Sequence, residues 1–151
     1  MKKNLKYIAG AIVVAVFVPF VAFAGDDNVP PITNDLVKEE CSACHFAFQP
    51  AFLPALSWEV MMQNLDDHFG EDASLAPGPM AEIEAYLVAN AKRRGLVDEN
   101  NPPLRITELR WFTHEHSERE ARQMKERKNV TTMLDCAACH TGADRGIYDD
   151  D

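Results

Sequence analysis

The pentapeptide CSACH, residues 41–45, returns as CAACH at 136–140, and the two motifs together hold all four cysteines of the 151-residue chain. Each sets two thiols three positions apart with a histidine directly after the second. A fold that accommodates this chain has to place both clusters where their chemistry can be used.

Four cysteines in an exported chain ordinarily suggest two disulfides, with three possible connectivities. A Cys-x-x-Cys pair also suits a redox-active disulfide or half of a four-cysteine zinc site. None of these needs a histidine after the second cysteine. Covalent haem attachment does, because the two thiols add across the porphyrin vinyl groups and the adjacent histidine is delivered to the iron. Histidine is only 5 of 151 residues, so its recurrence at that position in both motifs carries information. The motifs therefore predict two covalently bound haem c groups. Cys41 and Cys44 hold one, with His45 on its iron; Cys136 and Cys139 hold the other, with His140 on its iron.

The first 24 residues, MKKNLKYIAGAIVVAVFVPFVAFA, fit a signal peptide. Lys2, Lys3 and Lys6 precede an uncharged apolar run from Tyr7 to Phe23, and Ala22-Phe23-Ala24 gives the small-x-small cleavage pattern. The predicted location is the periplasm, with a mature chain starting near Gly25. An uncleaved membrane anchor is the competing reading, since the run approaches spanning length; Pro19 before the cleavage pattern favours removal. The segment holds three of the 15 basic residues and no acid, which leaves 12 against 24 and a net charge of −12. That balance disfavours nucleic acid and anionic membrane surfaces as partners. The Asp149-Asp150-Asp151 tail adds to it and reads as a solvated terminus.

Function turns on the far side of each iron. An open position permits gas or peroxide chemistry, whereas a second strong ligand limits the iron to electron transfer. His68 follows Trp58, Met61, Met62 and Leu65 at helical spacing, with Ser57 able to cap the start and Gly70 the end, which predicts a helix over 57–69 with His68 pointing inward. In the second half, His114 and His116 are two apart, so on one helix they face nearly opposite ways. His116 shares a face with Leu109 and Phe112, His114 with Trp111, and periodicity leaves the choice open. Ser117 with Glu120 suits a capping box that starts a fresh helix there. Met61, Met62, Met80, Met124 and Met133 are rival ligands, but methionine at helical spacing is usually core filler.

The run CSACHFAFQPAFLPALSWEVMMQNLDDHFGEDASL resembles the N-terminal half of the small dihaem cytochrome c family often called DHC. Its pattern has a Pro- and Leu-containing stretch after C-x-x-C-H, then a Trp, then H-F-G-x-x-A-x-L. RITELRWFTHEHSE followed by CAACH resembles the C-terminal half, so the likeness spans nearly the whole mature chain. The resemblance implies two bis-histidine haems and periplasmic electron transfer. It pairs His45 with His68, and it aligns His116 rather than His114 with the remaining ligand of His140. It also implies redox protein partners, such as a small oxygen-binding haem protein or a membrane b-type cytochrome, with no small-molecule substrate.

No strand alternation stands out, and the predicted fold is all-α with one haem per half, 25–94 and 95–151. Helices are expected over 35–44, 57–69 and 79–91, then one or a pair over 108–128, then a short one approaching Cys136. The boundary falls in KRRGLVDENNPP, where Gly95 can end a helix and Asn100, Asn101, Pro102 and Pro103 resist regular structure. Phe46, Phe48, Phe52 and Leu53 are the expected packing of the first haem, Trp111 and Phe112 of the second. Each half is too short for a conventional core, so the haem has to supply apolar surface. The segment 117–128, SEREARQMKERK, is the most basic in an acidic chain and reads chiefly as a solvated helix face.

The leading functional reading is an electron-transfer protein rather than an enzyme. The alternatives are an electron-entry subunit of a periplasmic reductase, and a small haem enzyme or gas-binding protein with one labile ligand.

Overall fold

The computed structural model describes residues 28–93 and 97–149. The leader, the Gly95 helix end and the last two aspartates lie outside the described residues, as does the side chain of Glu120 in the expected capping box. Among the described residues, five α-helices form the frame: α1 Asp35–Cys41, α2 Ala55–Met62, α3 Pro77–Ala89, α4 Arg110–Glu115 and α5 Glu118–Lys128. Short 3-10 turns join them. Among the described residues there is no β-strand, only three isolated bridges, and no helix is long and apolar enough to cross a membrane.

Helix α1 begins where the Asn34 side chain accepts the Val37 N–H at 3.0 Å, satisfying one of the orphan donors of the first turn. It ends at Cys41, three residues short of the expected 44. The Ala43 N–H reaches back to Glu40 O at 3.5 Å, an i to i−3 bond that tightens the last turn and ends the α-helical pattern. Cys44 and His45 consequently leave the helix. Val37, fully buried, is its contact with the core.

Helix α2 departs more clearly from expectation. Pro54 caps it rather than Ser57, which lies inside the first turn, fully buried. The helix stops at Met62 instead of continuing to 69. The reason is the polar run after it: the Asn64 side chain donates to Val60 O at 2.7 Å, and the Asp67 carboxylate accepts the Gly70 N–H at 3.1 Å. Such short polar side chains compete with helical backbone bonding. The chain then makes a 3-10 turn over Leu65–Asp67 and a tight reversal, with Phe69 at φ 59° and Gly70 at φ 101°. His68 is carried by this turn and not by a helical stripe.

Helix α3 starts two residues before the expected position because Pro77, whose fixed φ suits a helix entry, occupies the first turn. Its stripe is as expected, with Ile83 and Leu87 buried and Met80 packed beside them. It packs on α2, and the Lys92 N–H donates to Leu53 O at 2.9 Å to hold the end of this pair together. The 108–128 segment is a pair of helices: α4 ends at Glu115, His116 turns out of it, and α5 begins afresh, Ser117 O accepting the Ala121 N–H at 2.8 Å. The helix expected ahead of Cys136 is absent; a 3-10 turn over Cys136–Ala138 lies within the motif itself.

The buried cluster runs from Ile32, Val37 and Leu53 through Trp58, Met62, Ile83 and Leu87 to Ile106 and Phe112, and so spans residues on both sides of the 92–103 stretch. The N-terminal segment closes over the C-terminal loop, where the Val29 N–H donates to Gly146 O at 2.9 Å. Gly146 has φ 78°, and a Cβ there would run into the Val29 carbonyl. Only glycine meets both demands.

Candidate functional site

The turn at the end of α1 leaves Cys41 half-buried, Cys44 exposed and His45 half-buried. The His45 Nδ1 donates to the carbonyl of the next residue, Phe46, at 2.7 Å, which fixes the ring and leaves Nε2 as its free nitrogen. His68, delivered by the 3-10 turn after α2, brings its ring to 6.1 Å from that of His45, centroid to centroid. Two imidazoles bound through Nε2 to opposite sides of one metal, with bonds of about 2 Å, have centroids roughly 6 to 6.5 Å apart. The pair matches that spacing. Burial holds the His68 pKa below its ordinary value, and the neighbouring His45 and then Arg105 add to the effect. Neutral imidazole is the ligating form.

The second motif repeats the arrangement with different supports. His116, at the C-terminal end of α4, donates its Nδ1 hydrogen to Phe112 O at 3.1 Å and stacks on the Phe112 ring at 4.2 Å. Its ring lies 6.1 Å from that of His140. The Nδ1 of His140 is buried with no hydrogen-bond partner among the described residues. His114 points elsewhere: its side chain is 83% exposed and pairs with Glu115 at 2.8 Å. The geometry thus brings His116, and not His114, to His140.

No disulfide joins any of the four cysteines. Burial, with Glu40 adding to it, pushes the Cys41 thiol up to about 11; burial and then Asp135 do the same for Cys136, also to about 11. Before attachment to haem, both are neutral thiols at ordinary pH and weak nucleophiles by themselves. Two thiols beside a paired imidazole fit a covalently held porphyrin. Of the methionines, Met62 belongs to the buried core, with Met61, Met80 and Met133 packed against it.

Aromatic packing flanks both motifs and carries the loop after the first onto the second half. Phe48 lies 5.3 Å from His45, Phe52 touches both Trp111 (5.4 Å) and Tyr148 (5.3 Å), and Tyr148 lies 5.4 Å from His140. Phe52 therefore packs against residues of the second half. A cleft of about 430 Å³ beside His45 is lined by Phe46 and also by Asp135 and Asp144, so the second motif's flank faces the first motif's histidine.

Three contributors carry no local sequence signal. Gln49, 1% exposed, donates from Nε2 to Ala143 O at 2.6 Å. Tyr148 donates its hydroxyl hydrogen to Oε1 of the same Gln49. Arg105 lies over the Phe69 ring, 4.1 Å from its centroid, and so holds the turn that carries His68. Each acts across a long stretch of chain, and no spacing rule exposes that.

Residues 37–148 match the family described as dihaem cytochrome c. Among solved structures, the chain is similar to a diheme cytochrome c from Rhodobacter sphaeroides, with 46% identity, TM-score 0.69, and coverage of 79% of this chain and 99% of that one. A second structure, of DHC purified from Rhodobacter sphaeroides, gives 48% identity, TM-score 0.65, and 78% and 98% coverage. A diheme cytochrome type c from Shewanella baltica gives 36% identity, TM-score 0.65, and 77% and 87% coverage. Comparison with curated proteins returns no match. The chain belongs to the dihaem cytochrome c family. It accordingly carries two covalently bound haem c groups, on an all-α fold.

Proposed function

We propose that the protein is an exported electron carrier with two low-spin, bis-histidine haems, and that it works in the periplasm. The observation that carries this reading is the double pairing, His45 with His68 and His116 with His140, each at 6.1 Å. Cys41 and Cys44 form the thioethers of the first haem, Cys136 and Cys139 those of the second. Bound haem supplies a one-electron iron couple.

The chain's own residues do the rest. Backbone carbonyls of Phe46 and Phe112 hold the Nδ1 hydrogens of His45 and His116, which orients both rings and strengthens them as donors. Phe48, Phe52, Trp111 and Phe112 keep water from the sites. With His68 beside His45 and His116 beside His140, each haem iron would find two histidines and leave no place for oxygen or peroxide, and histidine pairs give lower potentials than histidine with methionine. The partners are redox proteins, for which a small oxygen-binding haem protein and a membrane b-type cytochrome are the candidates. The leader sequence supports export, and the acidic net charge favours a partner with a basic face.

Absorption spectra of the purified holoprotein, oxidised and reduced, with and without carbon monoxide, test this together with a pyridine haemochrome count. Two haems, low-spin in both states and unresponsive to carbon monoxide, are expected. A high-spin fraction or a carbon monoxide shift in the native protein would sink the bis-histidine assignment.

A further inference from the structure

The two histidine pairs share a separation but not a twist. The ring planes of His45 and His68 are 21° apart, and those of His116 and His140 are 84° apart. An imidazole that binds a metal through Nε2 contains the metal in its ring plane. The angle between planes is therefore the angle between the two ligands seen along the bond axis.

Each twist has a visible support. His116 is held by its bond to the Phe112 carbonyl and by stacking on the Phe112 ring at 15°. Tyr148 packs against His140 at 62°, and its hydroxyl is anchored to buried Gln49. At the other pair, His45 lies at 31° to Phe48, and His68 at 59° to Phe69, which Arg105 covers.

We propose that the two haem sites are electronically inequivalent, the parallel pair His45/His68 making the lower-potential site and the crossed pair His116/His140 the higher. Phe112 and Tyr148 are the positioning residues that hold the crossed pair. The inference rests on the histidine-pair reading above. The filled π orbital of each imidazole stands perpendicular to its ring. Parallel rings both raise the same iron d orbital, which stabilises the electron hole of ferric iron; crossed rings raise two orbitals alike, and the hole gains less. Ferric iron is thus favoured at the parallel site, which is harder to reduce.

Hydrogen bonding acts in the same direction. The 2.7 Å bond from His45 Nδ1 gives that ring anionic character, which also favours ferric iron. At the crossed pair, the His116 bond is longer, at 3.1 Å, and the His140 Nδ1 has no partner among the described residues. The Arg105 charge near His68 opposes this trend, but its side chain is 48% exposed and screened by solvent. Asp135 and Asp144 line the His45 cleft with the opposite sign, and Lys38, the cation of the same cleft, is paired with Asp35 at 2.9 Å.

The test is a reductive titration of the oxidised holoprotein followed by electron paramagnetic resonance. Two low-spin signals are expected, one rhombic with all features resolved and one strongly anisotropic with only its low-field extreme visible. The anisotropic signal should disappear first as the potential is lowered. His68→Met should alter only the rhombic signal and His116→Met only the anisotropic one. Phe112→Leu should move the anisotropic signal toward the rhombic type and lower that site's potential, while Phe112→Tyr should preserve both. Two signals of one type, or loss of the rhombic signal first, would overturn the proposal, and this wild-type result decides it even if Phe112→Leu fails to fold. A high-spin signal in the wild type would instead remove the histidine-pair reading, and the proposal with it.

Discussion

Tyr148 donates its hydroxyl hydrogen to the buried Oε1 of Gln49, a residue 99 positions earlier in the chain. The same Gln49 donates to Ala143 O, so one amide ties the loop after the first haem motif to the loop after the second. A buried amide with both ends engaged stabilises modestly, but its removal strands two partners. Gln49→Ala should lower the stability of the holoprotein by about 2 to 4 kcal/mol in denaturant unfolding. Tyr148→Phe alone should cost about 1 to 2 kcal/mol, and the double variant should cost less than the sum, because the two share one bond.

Burial pushes the Tyr148 phenol well above its ordinary value of 10.0. A group whose pKa is raised by folding contributes stability that is complete below its unfolded pKa and is lost as pH rises toward the folded one. The Tyr148 contribution is therefore whole at neutral pH and declines above about pH 10. Melting temperatures measured from pH 8 to 12 should fall more steeply for the wild type than for Tyr148→Phe. Parallel curves would show that the phenol titrates as freely in the folded protein as in the unfolded one.

His114 and His116 are two residues apart and sit in opposite environments, the first on the surface beside Glu115 and the second stacked on Phe112. His114→Ala should leave the absorption spectrum unchanged and cost under about 0.5 kcal/mol, as exposed substitutions usually do. His116→Ala should turn one haem of the two high-spin and make it bind carbon monoxide. The reverse pattern would transfer the axial role to His114.

Removal of the haems should abolish folding. The described core rests on few fully buried side chains, with Leu53, Ile83 and Val37 the main apolar ones, and a small domain with so little buried apolar area needs a cofactor or staple. A chain with all four cysteines changed to serine should lack a cooperative thermal transition by circular dichroism. Cooperative melting of that variant would show that the polypeptide contacts suffice.

Much of this protein was legible in its sequence because the determining signals are local. C-x-x-C-H is a covalent requirement confined to five residues, and it identified the cofactor and its number twice over. The α3 stripe of Ile83 and Leu87 followed from helical periodicity, and the possible break at Ser117 from capping chemistry. The helix expected over 57–69 failed for an equally physical reason: apolar spacing continues past Met62, but the side-chain bonds of Asn64 and Asp67 outcompete the helical backbone there. His68 still meets His45, by way of a turn. What only the tertiary structure decided is what depends on packing between residues far apart in the chain: the 6.1 Å approach of His116 to His140, which the family resemblance anticipated and periodicity left open, the Gln49 link, Arg105 over Phe69, and the differing twists of the two pairs. Periodicity fixes which face of an element a residue occupies, whereas ring orientation and long-range bonding are set by packing of several elements at once.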